Sequence, residues 1–158
     1  MQTKTPPRPA LSKIVVATLV AGIALCSLVA IGTWTGHQLL IPPLAASMVL
    51  IVTGPNLHLS QPRQVVGGHL LSALVGVGVG YISHSLWAAA IAGALSLGVM
   101  LVLRTAHSPG AATAMIAAMT VSGQWSLIIS TVLGAIILVV FGILLNKIKH
   151  TGYPAYWW

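Results

Sequence analysis

The sequence predicts an all-α integral membrane protein of six helical segments, four long and two short, and three observations carry that prediction. Only 4% of the 158 residues are charged and the mean hydropathy is +0.98, whereas soluble domains carry roughly 25% charged residues. The apolar residues gather into six runs punctuated by Gly, Pro and basic residues. A helix needs about 20 apolar residues to cross a bilayer, so the chain has room for one membrane domain of about six crossings. No stretch is polar enough for a second domain.

Residues 1–13 hold three basic side chains, Lys4, Arg8 and Lys13, and read as a cytoplasmic N-terminus. The first span is Ile14–Thr33, too long for a cleaved signal and without a clear small-x-small cut site. Its Cys26 is the only cysteine and reads as a small packing residue, so no internal disulfide is possible. The second segment, Leu39–Thr53, is short and opens on Pro42-Pro43. The third runs Gln64–Ile82 and the fourth Leu86–Leu103. The fifth, Pro109–Val121, is again short and starts at a proline. The sixth is Trp125–Leu145. The remainder, residues 146–158, reads as a cytoplasmic tail whose Tyr153, Tyr156, Trp157 and Trp158 suit the membrane interface.

The seven Lys and Arg are set against no Asp or Glu. Basic residues flanking apolar spans are topology signals rather than a nucleic-acid surface. If all six segments cross from a cytoplasmic N-terminus, Arg63, Arg104, Lys147 and Lys149 all fall inside, and Trp34, Tyr81, Trp87 and Trp125 fall at the outer interface. Four crossings would put Arg63 and Arg104 outside, so six are preferred. The short segments could also be re-entrant half-helices. The absence of carboxylates removes the usual acidic proton relays and the usual ligands of Na⁺, Ca²⁺ or Mg²⁺. A small anion or a neutral solute fits better than a cation.

An ungapped offset of 66 residues lays Pro43-Leu44-Ala45-Ala46-Ser47 on Pro109-Gly110-Ala111-Ala112-Thr113. The same offset pairs Gly32 with Gly98, Gly68 with Gly134 and Gly76 with Gly142. Two halves of three segments, about 14–82 and 86–145, would lie in opposite orientations. Inverted repeats with short, proline-interrupted helices in matching places point to a transporter binding site. A helix N-terminus carries partial positive charge that attracts anions, though proline in a first turn is also ordinary helix initiation. Pro43, Ala45, Ala46, Ser47, Pro109, Gly110, Ala111 and Thr113 are therefore the candidate substrate-binding residues. Ser47 and Thr113 would donate hydrogen bonds.

Arg63 and Arg104 are candidates for attracting or gating an anion, against the plainer reading of snorkelling interfacial anchors. His69, inside the third segment, and His107 join them. With no carboxylate present, proton coupling would have to use histidine. No two of the six histidines sit at i,i+3 or i,i+4, so no metal or haem site within one helix is indicated, and no cofactor motif is present. Gly68, Ser72, Gly76 and Gly80 form a small-residue stripe, read first as helix packing.

Three stretches resemble the HPP family of integral membrane proteins. They are Pro43–Leu50, Ser60-Gln61-Pro62-Arg63-Gln64-Val65-Val66-Gly67-Gly68-His69 and His107-Ser108-Pro109-Gly110-Ala111-Ala112-Thr113. The family's His-Pro-Pro stands here as His107-Ser108-Pro109. Members are usually described as four-spanning, against the six segments read here. Cyanobacterial and chloroplast relatives are associated with nitrite transport, so the resemblance implies nitrite or a similar small inorganic anion. The expectation is thus a membrane transporter or channel for a small monovalent anion, in a bacterial inner membrane with both termini cytoplasmic. Its partners are the anion, the lipid bilayer and further copies of itself, with no nucleic acid, cofactor or metal. A carrier of small neutral solutes and a membrane scaffold are the alternatives; an enzyme is the weakest reading. An inside-negative potential opposes anion entry by about 2.3 kcal/mol per 100 mV, so uptake needs a gradient, proton co-entry or a metabolic sink.

Overall fold

The structure, a computed structural model, describes residues 7–157; Lys4 and Trp158, and the side chain of Lys149, lie outside the described set. Six α-helices and one 3-10 turn account for its regular structure, and there is no strand among the described residues. The helices are α1 (Leu11–Thr35), α2 (Pro42–Thr53), α3 (Pro62–Gly80), α4 (Leu86–Val102), α5 (Ser108–Met119) and α6 (Gln124–Lys149), with the 3-10 turn at His58–Ser60 between α2 and α3. The all-α class of four long and two short helices follows the sequence expectation. Several ends do not. Leu39–Ile41 is extended rather than helical, and α6 continues to Lys149.

The local sequence explains most of the ends. Prolines occupy the first turns of α2, α3 and α5, where the missing N–H would have had no helical partner. Ser85 caps α4 by accepting from Ala88 N at 3.2 Å, the usual role of a serine there. Gly36 at φ 71 ends α1 in the left-handed region, which glycine adopts without steric penalty. Arg104 takes a similar conformation, φ 55, where the chain turns back after α4.

These two turns have the same consequence. After α1, the segment from Gly36 to Ile41 runs back along the helix, and a Cβ on Gly32 would stand 3.3 Å from Leu39 N. After α4, the segment from Leu103 to His107 runs back beside α3, with Thr105 O set 2.9 Å from a Cβ on Gly68. Each extended stretch then delivers a helix of 12 residues, about 18 Å long at 1.5 Å per residue. Neither short helix turns back to the side it came from. The chain leaves α1 at one end of the bundle and enters α3 at the other, so extended segment and short helix together make one traverse.

α3 lies at the centre, in contact with α4, α5 and α6. Glycines on α3 let α5 come close: Gly76 faces Ala117, and Gly80 faces Ala118. On α6, Gly134 faces Leu39 and Gly142 faces Ile51. Thus α5 runs parallel to α3, and α2 parallel to α6. Val65 clusters with Ala135 and Leu138 while Val77 clusters with Ile128, so α3 and α6 run in opposite directions.

The surface is the inverse of a soluble protein's. Exposed positions are apolar, such as Leu19 and Ile23 on α1, Leu95 and Leu101 on α4, and Ile129, Leu133 and Val140 on α6. Polar groups lie inside, among them Ser47, Gln64, His69, Ser72, Thr113 and Thr131. Soluble monomers seldom expose apolar patches beyond a few hundred Å². Among the described residues, α1 and α6 (to Ile148) are the two helices long and apolar enough to cross a bilayer by themselves.

The basic residues share one end. Lys13 lies with Thr53, Pro55 and Thr151 around one open cleft, Arg63 donates to Leu103 O at 3.1 Å, and Arg104 O accepts from Gln64 at 3.5 Å. Lys147 is in the last turn of α6 at that end. Trp34, Tyr81, Trp87 and Trp125 sit at the opposite helix ends and are largely exposed. The tail departs from expectation. Tyr153 is not interfacial but 1% exposed, packed on Gly142, while Ala155 N donates to Gln61 Oε1 at 2.9 Å.

Candidate functional site

The two short helices run antiparallel and overlap by their first turns, and α3 crosses beside them. This brings four polar side chains distant in sequence into one cluster. Ser47 comes from α2, His69 from α3, His107 from the residue that caps α5, and Thr113 from α5. None is more than 1% exposed. His69 Nε2 lies 2.8 Å from Ser47 Oγ, and His69 Nδ1 lies 2.8 Å from Thr113 Oγ1. Ser47 Oγ is also 2.8 Å from His107 Nε2 and 3.0 Å from Pro43 O. His107 Nδ1 closes the series at 2.7 Å from Leu59 O. The two imidazoles stand edge to face, 5.0 Å between centroids.

A carbonyl can only accept, so Nδ1 of His107 carries a proton. The remaining assignments follow for neutral rings. His107 Nε2 accepts from the Ser47 hydroxyl; Ser47 Oγ accepts from His69 Nε2–H; His69 Nδ1 accepts from the Thr113 hydroxyl. All four hydrogens run in one direction, and each buried group is paired, as burial in a low dielectric requires.

The other expected site residues fall around this cluster in different ways. Pro43 is buried and contributes its carbonyl; Pro109 and Gly110 are buried, and a Cβ on Gly110 would come within 2.7 Å of Ser72 Oγ. Ala45 and Ala111 are half-buried, and Ala46 is exposed on the outside of the bundle. Some of the N–H groups expected at the short-helix N-termini are missing or already used. Pro42 and Pro43 have none, and Leu44 N already donates to Ile41 O at 3.0 Å. In α5, Gly110 N donates to His107 O at 2.9 Å, which leaves the Ser108 amide without an intrahelical acceptor. The side chains of the cluster add donors to those the backbone keeps. Gly68, Ser72, Gly76 and Gly80 are buried on the face of α3 that meets α5 and its leading segment. Arg63 and Arg104 stand at the basic end, a turn or more from the cluster, and Arg104 is exposed.

The approach of His69 to His107 has no local signature, because the two are on different elements. The accepting carbonyl of Leu59, and that of Pro43 lying 3.0 Å from Ser47 Oγ, have no local signature either. A second polar group, where Gln61 Nε2 donates to Pro55 O and Leu57 O at 2.9 Å and His58 Nδ1 meets the Tyr156 hydroxyl, ties the tail to the basic end. Beside the cluster, an open groove of about 750 Å³ between α4 and α5 reaches His107 and Leu59.

Against known families, the HPP transmembrane region matches residues 6–154. The chain belongs to the HPP transmembrane family. Two relatives of this HPP protein are transmembrane proteins of Dictyostelium discoideum. One is 36% identical over 131 residues, covering 77% of this chain and 46% of the relative. The other is 32% identical over 124 residues, covering 72% of this chain and 40% of the relative. The chain therefore spans less than half the length of these curated relatives. No solved structure matches it. Membership in the family and the inside-out surface agree that this is a membrane protein.

Proposed function

We propose that this HPP protein is a transporter of small monovalent anions, nitrite foremost, which passes its substrate through the Ser47–His69–His107–Thr113 cluster. One observation carries the reading: every side chain in the buried polar centre can donate a hydrogen bond, and the whole chain has no acidic side chain to repel an anion. The four side chains are each at most 1% exposed, which suits an occluded state of a transporter. Entry then requires the short helices to separate.

The proposal includes two inverted repeats. Its support is that the offset of 66 residues carries Pro42 to Ser108 and Thr53 to Met119, the ends of the two short helices. The contact of Gly76 with Ala117 becomes that of Gly142 with Ile51, both at 2.6 Å for an added Cβ. Burial agrees at each position from Pro43/Pro109 to Ile51/Ala117. The reading keeps a bacterial inner membrane and puts the basic end on its cytoplasmic side, which the positive-inside rule supports. Self-association is part of the reading, since Ala90, Ala94 and Gly98 are exposed on one stripe of α4 and allow close helix approach. Ser47 does lie against two histidines, but inside a helix and closed off. A serine held this way, hydrogen-bonded on three sides, is read here as part of a transport site rather than as a nucleophile.

Nitrite uptake by proteoliposomes, compared with empty vesicles and with sulfate and glucose, tests the proposal. Selective flux that falls at least tenfold in Thr113→Val supports it. Absence of flux for nitrite, nitrate, formate and chloride in folded, monodisperse protein sinks it and favours a scaffold. Crosslinking in native membranes checks the self-association.

A further inference from the structure

Ser47 Oγ has three polar neighbours within 3.0 Å, namely Pro43 O, His69 Nε2 and His107 Nε2. With both rings neutral, its hydrogen points to His107, as assigned above. Consider one proton added at His107 Nε2. The ring then donates at both nitrogens, to Leu59 O and to Ser47 Oγ. Ser47 accepts from both histidines with its two lone pairs and turns its own hydrogen to Pro43 O. Every hydrogen bond in that second state already has its geometry in the structure, and only one hydroxyl rotates. The cluster is therefore built to take a proton without losing a hydrogen bond.

What the protonated state lacks is negative charge. Helices α2, α4 and α5 carry no titratable side chain. On α1 the only such groups are Lys13 and the exposed Cys26, and on α6 only Lys147 and Lys149, in its last turn. On α3, Arg63 faces the basic end, and from the connecting segments His58 and Arg104 do the same. None of these can neutralise a buried imidazolium, and uncompensated buried charge is expensive. The 5.0 Å between the rings also holds the pair to one added proton. Conversely, the neutral cluster offers an anion no positive charge, and the added proton supplies it.

We infer that anion and proton load this cluster only together, one of each, with His107 as the proton carrier and Ser47 as its hydroxyl rotor. This rests on the anion-transport reading and makes it an electroneutral symport. An N–H bond forms at His107 Nε2 on loading, with the proton taken from water at one side. The same bond breaks on unloading, and the proton passes to water at the other side. Nothing is oxidised or reduced. The membrane potential then does no work on the loaded carrier, which removes the opposition to anion entry.

The test uses the full chain in vesicles loaded with a pH dye, with potassium and valinomycin setting the voltage, and with nitrite as probe and formate as a second probe. The inference expects one proton to enter with each anion, above the leak of empty vesicles, and a rate that changes less than twofold between 0 and −100 mV. An imposed pH gradient should drive accumulation with no anion gradient. Ser47→Ala should reduce coupled flux at least tenfold. Anion flux that follows voltage and carries no proton overturns the symport while leaving anion transport standing. No flux of either probe or of nitrate or chloride overturns both. If Ser47→Ala fails to fold, proton stoichiometry and voltage response of the unaltered protein decide the matter alone.

Discussion

Replacing Ser47 by alanine removes the one atom that joins the two imidazoles, and leaves His69 Nε2–H and His107 Nε2 facing each other across a gap. An unpaired buried donor or acceptor costs about 1–3 kcal/mol, so Ser47→Ala should lower the unfolding midpoint in detergent as well as transport. Thr113→Ser keeps the hydroxyl that meets His69 at 2.8 Å and should retain flux that Thr113→Val loses; paired uptake measurements check this. At this scale the sequence was informative about hydroxyls and mute about their partners. Ser47 and Thr113 stood out because the same pattern occurs twice, and His69 because an ionisable residue inside an apolar run is unusual. Nothing in the spacing of residues 47, 69 and 107 announces a shared contact.

At the scale of elements, the close passage of α3 past α5 depends on positions without side chains. A Cβ on Gly68 would press within 2.9 Å of Thr105 O, against backbone that holds the approach to α5. Gly68→Ala should therefore destabilise by about 1–3 kcal/mol, as overpacking does. Gly78, one face away, has nothing within 4 Å; Gly78→Ala should be neutral or stabilise by up to about 1 kcal/mol through helix propensity. Unfolding in mixed micelles would compare the two. The helices themselves were legible, since hydrophobic runs and first-turn prolines mark them. The lengths of the extended leads were not: Leu39–Ile41 is apolar and continues the run into α2, yet it is not helical where Leu39 O passes close to Gly134. The tail misled in the same way. Its aromatic residues suit an interface by composition, but Tyr153 fills the notch that Gly142 leaves, and Tyr153→Ala should cost about 3 kcal/mol or more as other buried aromatic truncations do. Loss of that tail should also raise access of thiol reagents to a cysteine placed at Asn56.

For the whole molecule, the gathering of basic residues at one end makes a topological prediction. In a protein with Cys26 replaced, Asn56→Cys and Arg104→Cys should react with an impermeant maleimide from the same side of the membrane, and Ser122→Cys from the opposite side. Labelling of Asn56→Cys and Arg104→Cys from different sides contradicts the six traverses. If the basic end is cytoplasmic, the first two react only in inverted vesicles.

What the sequence by itself determined is the membrane setting, the number and order of the helical segments and the absence of any acid from the chain. Those properties are summed over many residues or read from local punctuation, so no fold is needed to see them. The tertiary structure decided that two half-length helices begin within the bundle, side by side, and that Ser47, His69, His107 and Thr113 close into one directional hydrogen-bond chain. That depends on the angle and depth at which α2, α3 and α5 meet, set by glycine contacts and by the extended leads. A displacement of about one ångström would stretch these hydrogen bonds past their usual range, and no pattern along the chain records a distance across it.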